Sequence, residues 1–123
     1  MATLTEGRHA GEFLQSEAPG ARSRDIVTID APASTTLKAG QVLGQLSATG
    51  HYVPYDSTKS DGSEAACAVL YDNVTNEAGA PAHKTATVIN CDAEVKADAL
   101  EWGTDMDEDA GILALRTVGI KVR

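Results

Sequence analysis

The segment from residue 37 to residue 72 constrains the fold more than any other part of this 123-residue chain. It contains three short runs of strand-forming residues, with turns at Gly40, Gly50 and Gly62. Runs of this length are too short for ordinary helices, and glycine turns between them favour a sheet that turns back on itself. The segment therefore predicts a small β-barrel or β-sandwich-like core.

The third run, residues 65–71, is apolar at every position and predicts a strand buried on both faces. Residues 72–84 are rich in turn-forming residues and predict a surface loop. One helical turn is expected over residues 98–102. Further strands are expected at residues 25–29, 85–91, 94–96 and 120–123. The predicted fold class is mainly β, with a short C-terminal helix and an extended N-terminal arm.

The acidic stretch near the C-terminus predicts the start of that helix. Thr104 is a candidate N-cap for a helix that begins near Asp105, because its hydroxyl can accept from a free amide. Gly111 weakens such a helix by about 1 kcal/mol relative to alanine. Gly119 suits a left-handed C-terminal stop. One face of the helix is expected to carry Met106, Ala110, Leu113 and Thr117.

The first 24 residues differ from the rest because they show no sustained period of 2 or 3.6. We interpret residues 1–24 as an extended arm and residues 25–123 as a single domain. Phe13 and Leu14 are the large apolar residues that could anchor the arm, either on its own domain or on a neighbour.

Charge and apolar patterning argue against nucleic-acid binding, a membrane helix and a signal peptide. The formal net charge is −8, which argues against binding a nucleic-acid backbone. No apolar stretch approaches the roughly 20 residues of a membrane helix. The N-terminus lacks the apolar core of a signal peptide, so synthesis and retention in a cytoplasm are expected.

No catalytic, metal or cofactor site is predicted. The acidic run 105–109 opens like a calcium loop, but Ala110 and Arg116 occupy the places that need glycine and a bidentate glutamate. Cys67 lacks a neighbouring positive charge that would favour a thiolate. Cys67 and Cys91 are expected to be free, buried thiols. Three histidines lie apart in the sequence without metal-ligand spacing: His9, His51 and His83.

A set of turn and strand segments follows one order along nearly the whole chain, at residues 9–14, 16–17, 22–25, 27–29, 37–44, 51–56, 61–64, 92–95 and 119–123. This ordered set resembles the head decoration proteins of tailed bacteriophages, the family of the phage lambda decoration protein D. No single segment is decisive, whereas the ordered set is fairly specific.

The resemblance implies a homotrimeric, non-enzymatic protein on the outer surface of the virion, made in the cytoplasm of the bacterial host. Its partners would be other copies of itself and the major capsid protein. It would bind the expanded head at threefold and quasi-threefold positions and stabilise the shell against the pressure of packaged DNA. The family's N-terminal arm becomes ordered on the capsid, so deletion of residues 1–17 is expected to spare the trimer and abolish capsid binding.

Two groups of candidate residues accompany this hypothesis. The candidate capsid-binding residues of the arm are Thr3, Leu4, Thr5, His9, Phe13 and Leu14. The candidate trimer or core residues are Tyr52, Tyr55 and Trp102. The alternative function is a non-enzymatic β-barrel binding module, such as a tail or fibre adhesion domain. Scarce aromatic residues, 4% of the chain, disfavour a glycan-stacking surface.

Overall fold

The computed structural model describes residues 9–18, 23–103 and 106–123. Thr3, Leu4, Thr5, Thr104 and Asp105 lie outside these ranges. The elements are β1 (Leu14–Glu17), β2 (Arg24–Ala31), β3 (Thr35–Leu37), β4 (Val42–Gln45), β5 (Tyr52–Pro54), β6 (Ala66–Leu70), β7 (Val74–Asn76), β8 (Ala82–Ile89), β9 (Ala93–Val95), a 3₁₀ turn (Ala97–Ala99), α1 (Glu108–Thr117) and β10 (Ile120–Val122).

Five strands form a closed barrel in the order β2-β5-β4-β6-β8. The segment 37–72 supplies β5, β4 and β6, which are neighbours in the barrel, so the predicted β-barrel core is confirmed. Strand β6 is buried at four of its five positions, as its unbroken apolar run predicted. The mainly β class with one short C-terminal helix is also confirmed.

The barrel closes through two unequal contacts of β2. Strands β2 and β8 pair antiparallel along their full length, from Arg24 opposite Ile89 to Ala31 opposite Ala82. On its other side, β2 pairs in parallel with β5 through a single residue pair, Ile29 and Tyr52. We call this β2–β5 contact the seam of the barrel.

Two smaller sheets flank the barrel, and both include a strand that the sequence did not predict. Strand β1 pairs antiparallel with β9, which also pairs in parallel with β10. Strand β7, inside the predicted loop 72–84, pairs with β3. The prediction of a continuous loop there was wrong, because a three-residue strand depends on its partner more than on its own periodicity.

Two apolar clusters make up the core. One includes Phe13, Leu115 and Ile120, and therefore joins the barrel to the N- and C-terminal segments. The other includes Ile29 and Leu43. Leu43 directly follows Val42 of the first cluster on β4, so the two clusters lie on opposite faces of that strand. The chain is thus held together by residues from both of its ends.

The C-terminal helix begins later than predicted and faces another way. Its N-cap is Asp107, whose side chain accepts from the Ala110 amide at 3.0 Å. The buried residues of α1 are Gly111 and Leu115, whereas Leu113 is exposed, so the predicted apolar face was wrong. Gly119 has φ of +93° directly after the C-cap, which confirms its predicted role as a stop. No helix in the described ranges has the length and apolar character needed to cross a membrane.

Candidate functional site

The described part of the N-terminal segment is docked on the domain. The Gly11 amide donates to the Tyr71 carbonyl at 2.9 Å, and the Lys96 amide donates to the Phe13 carbonyl at 2.8 Å. Phe13 is fully buried in the first core cluster. Of the two anchor positions left open by the sequence, Phe13 therefore occupies the one on its own domain.

The candidate capsid-binding residues of the arm therefore have different surroundings. Phe13 offers no surface to a partner, which argues against a direct capsid contact through this residue. Leu14 is half-buried against the same core and lies in β1, whereas His9 is exposed. The domain boundary after residue 24 stays a prediction, although residues 14–17 already form part of a sheet.

An ion pair holds the end of β1 beside the start of β2. The Arg24 guanidinium donates to both carboxylate oxygens of Glu17, and the Ser23 hydroxyl donates to one of them. These hydrogen bonds, with that of Arg24 the strongest cause, lower the pKa of Glu17 below its ordinary value. The Arg24 guanidinium also lies 4.3 Å from the centre of the Tyr71 ring, a cation–π geometry.

The candidate aromatic residues have different surroundings. Tyr55 is buried, and its hydroxyl donates to the Asp107 carbonyl at 2.8 Å, just before α1. Trp102 is half-buried and meets Tyr55 edge to face, with ring centres 5.7 Å apart. A Cβ atom at Gly111 would lie 2.4 Å from the Trp102 ring, so only glycine allows this close approach.

Tyr52 is half-buried against the second core cluster. Burial is the main cause that raises the pKa of its hydroxyl. Tyr55 is thus a core residue, while Tyr52 and Trp102 each combine core packing with partial exposure. A role for Tyr52 or Trp102 in a subunit interface stays a prediction.

Among the residues that the structure describes, two large apolar side chains are exposed. Ile26, on β2, is 71% exposed, and Leu113, on α1, is 61% exposed. Sequence reasoning placed both in regular elements but missed their exposure. Strand alternation offered a signal for Ile26, since the fully buried Ile29 lies three positions away and must face the opposite side of β2.

The fold also brings together three polar residues that sequence spacing kept apart. Asp30 and His83 are directly opposite each other on β2 and β8, and His51 precedes β5 at the seam. One oxygen of Asp30, Oδ1, lies 2.8 Å from Nδ1 of His51 and 2.6 Å from Nδ1 of His83. We call these residues the Asp-His-His cluster. Sequence reasoning missed it because the three positions meet only when the barrel closes.

The cysteines do not suggest a nucleophile. Cys67 and Cys91 are not joined in a disulfide, and both are half-buried, less buried than expected. Burial raises the pKa of the Cys67 thiol to about 11, so the thiol is protonated at neutral pH.

The first residues of α1 carry Glu108 and Asp109, as expected of an acidic helix start.

Comparison with known proteins identifies the family. The family model described as "Bacteriophage lambda head decoration protein D" matches residues 3–120, which is nearly the whole chain. No curated protein matches significantly. A match of this extent includes the barrel, α1 and both flanking sheets, except the last two residues of β10. The chain therefore belongs to the phage lambda head decoration protein D family.

Proposed function

We propose that this protein forms homotrimers that bind the outer surface of the expanded phage head at threefold and quasi-threefold positions. There they stabilise the shell against the pressure of packaged DNA. The observation that carries this proposal is the family match over residues 3–120. Any ligand that binds only the assembled shell stabilises it by mass action.

Family membership directly supports association with the phage capsid. The family decorates phage capsids, so the protein is a structural, virion-associated protein that associates with the capsid. The family is not a family of enzymes. The net charge of −8 suits a protein that lies outside the shell and does not hold DNA.

The N-terminal residues before His9 are the proposed capsid-binding segment. The family match begins at residue 3 and so includes Thr3, Leu4 and Thr5. Phe13, which follows this segment in the chain, is docked on the domain. A short segment can add main-chain hydrogen bonds to a sheet edge of the major capsid protein. Three such segments on one trimer would act together, because each bound segment raises the effective concentration of the others.

The structure calls for a shorter truncation than deletion of residues 1–17. That larger deletion removes Phe13 from the core and the whole of β1, so lost binding could reflect lost folding. Deletion of residues 2–8 leaves every described residue in place. We expect this variant to keep its melting temperature and its oligomeric mass but to lose binding to expanded heads.

Co-sedimentation with expanded heads that lack the decoration protein measures this directly, and cryo-electron microscopy locates the bound copies. The full-length chain is the positive control, and unexpanded heads are the negative control. If the chain without residues 2–8 decorated expanded heads at normal occupancy, the proposed role of the segment would be wrong.

Ile26 is the proposed apolar contact between subunits. It lies on the β2–β8 pair, the longest ladder within the described ranges, and it is 71% exposed in the isolated chain. Buried aliphatic side chains contribute about 1.5–3 kcal/mol each, and a threefold interface repeats each contact three times. The substitution Ile26→Ser should therefore convert the trimer, about 38 kDa from three 12.8 kDa chains, to monomers.

Leu113→Ser is the matched control, because it removes a similarly exposed side chain from α1. Light scattering at several protein concentrations gives the masses of both variants and of the unmodified chain. A trimer that persists in Ile26→Ser would contradict the proposed contact, whereas a monomeric unmodified chain at high concentration would contradict the trimer itself.

A further inference from the structure

We propose that Asp30, His51 and His83 bind a divalent transition metal of the zinc type at the seam of the barrel. The proposal rests on the geometry of the Asp-His-His cluster and is independent of the capsid-binding function.

The donor atoms select the class of metal. Two imidazole nitrogens and one carboxylate oxygen suit Zn²⁺ and its borderline neighbours. Ca²⁺ and Mg²⁺ prefer sites made of oxygen donors and would be poorly served here. Three protein ligands leave one position of a tetrahedral Zn²⁺ site for water.

The three side chains must move before their donor atoms fit one metal ion. One donor atom from each residue can be chosen so that all three lie within 4.8 Å of one another. Tetrahedral Zn²⁺ with bonds near 2.0–2.1 Å places its donors about 3.3–3.4 Å apart. Oδ1 of Asp30 is 2.8 and 2.6 Å from the two Nδ1 atoms, so each of these two pairs must separate by about 0.5–0.8 Å. The two histidine nitrogens, which can be as far as 4.8 Å apart, must approach each other by up to about 1.4 Å.

The cluster combines a fixed backbone with a movable side chain. The Leu46 amide donates to the His51 carbonyl at 2.8 Å, which holds the turn before β5. Asp30 and His83 are held opposite each other by the β2–β8 ladder. The side chain of His83 is 68% exposed, so its ring can turn toward a metal without disturbing the core.

The position of the cluster indicates what a bound metal would do. Strands β2 and β5 share one residue pair, the weakest closure of the barrel. Coordination bonds from Asp30, His51 and His83 would connect β2, the start of β5 and β8 across that seam. Metal binding should therefore stabilise the folded barrel, since the three ligands are far apart in an unfolded chain.

Metal binding also competes with protons. Without a metal, an imidazole that carries its proton on Nδ1 donates a hydrogen bond to Asp30. A metal that binds at Nδ1 requires the proton to leave that atom, either to solvent or by a change to the Nε2 tautomer.

Isothermal titration of the chelator-treated, full-length protein with ZnCl₂ tests the proposal. We expect one Zn²⁺ per chain in the unmodified protein and in His9→Gln, the control that removes the histidine outside the cluster. Loss of a side chain that binds the metal directly should weaken binding by at least the roughly 10–100-fold that is typical when a residue hydrogen-bonded to a ligand is lost. His51→Gln and His83→Gln should each show such a loss. Equal affinity in all of these proteins, or no binding to the unmodified one, would overturn the proposal.

A second measurement needs no variant and so does not depend on whether the substituted chains fold. NMR of the unmodified protein with added ZnCl₂ should shift the imidazole signals of His51 and His83 and leave those of His9 in place. The melting temperature should rise with Zn²⁺ and return to its original value with chelator. Zinc-induced shifts confined to His9, or no shift at all, would contradict the site.

Discussion

Replacing Gly111 by alanine tests whether the packing of Trp102 or the helix propensity controls the stability of α1. From the sequence alone the substitution should stabilise the protein by about 1 kcal/mol, because glycine is a poor residue inside a helix. In the structure, the new Cβ would lie 2.4 Å from Cζ3 of Trp102 and 3.3 Å from the Tyr55 ring. A separation below 3.0 Å requires the ring or the helix to move.

The two contributions can be compared in size. Overpacking a well-packed site typically costs about 1–3 kcal/mol. Displacing Trp102 would also weaken its edge-to-face contact with Tyr55, and such contacts contribute about 0.5–1.5 kcal/mol. These losses exceed the propensity gain, so we expect Gly111→Ala to lower the free energy of unfolding by roughly 1–2 kcal/mol.

Urea unfolding at fixed protein concentration measures the change, and fluorescence reports it from Trp102, the only tryptophan of the chain. Gly79→Ala is the matched control, since nothing lies within 4 Å of a Cβ atom at that position. That substitution should be neutral or stabilising by up to about 1 kcal/mol.

A double substitution identifies the source of the loss. If contact with the Trp102 ring causes the loss of stability, Gly111→Ala should no longer destabilise a protein in which Trp102 is replaced by leucine. Because that protein lacks tryptophan, circular dichroism can follow its unfolding. A Gly111→Ala protein that is about 1 kcal/mol more stable than the unmodified chain would refute the reasoning, because propensity would then outweigh packing.

Two further predictions concern the N-terminal segment. Phe13→Ala should lower the free energy of unfolding by about 3–5 kcal/mol, because the side chain is fully buried, and thermal unfolding of the purified protein would show it; an unchanged melting temperature would mean that Phe13 contributes nothing to the core. Glu17→Gln should flatten the acid side of the stability profile, because the Glu17 pKa is lowered in the folded state by Arg24 and Ser23. The stabilisation is present above the unfolded-state pKa of this carboxyl and is lost as the pH falls through the lower folded-state pKa; identical unfolding free energies from neutral pH to below pH 4 in both proteins would contradict this assignment.

The docking of Phe13 also affects how truncation experiments on the N-terminus are interpreted. A deletion that passes residue 13 creates a cavity in the core that joins the barrel to α1 and β10. A folded domain typically has only about 5–15 kcal/mol of stability, so the loss of one such aromatic residue is a large fraction of it. Capsid binding and domain folding can therefore be separated only by deletions that end before the docked segment.

Sequence patterns determined the barrel itself. Alternating and continuous apolar runs are properties of short stretches of sequence, so they can be recognised without the fold. Burial of a sheet face also leaves few possible pairing registers for a strand. For this reason the strands at residues 25–29, 65–71 and 85–91 were predicted close to where they lie. The glycine turns predicted that the segment 37–72 would fold back on itself, and its three strands are indeed neighbours.

The tertiary structure alone decided which residues meet. Strands β1 and β7 are three or four residues long and depend on partners distant in sequence, so their own patterns carried little signal. The orientation of α1 followed from contact between Gly111 and Trp102, and a glycine gives no apolar signal to a periodicity count. Asp30, His51 and His83 are separated by 21 and 32 residues, and they meet because the barrel closes at β2. Local periodicity specifies strands, whereas sites built across strands depend on register and closure, which only the assembled sheet fixes.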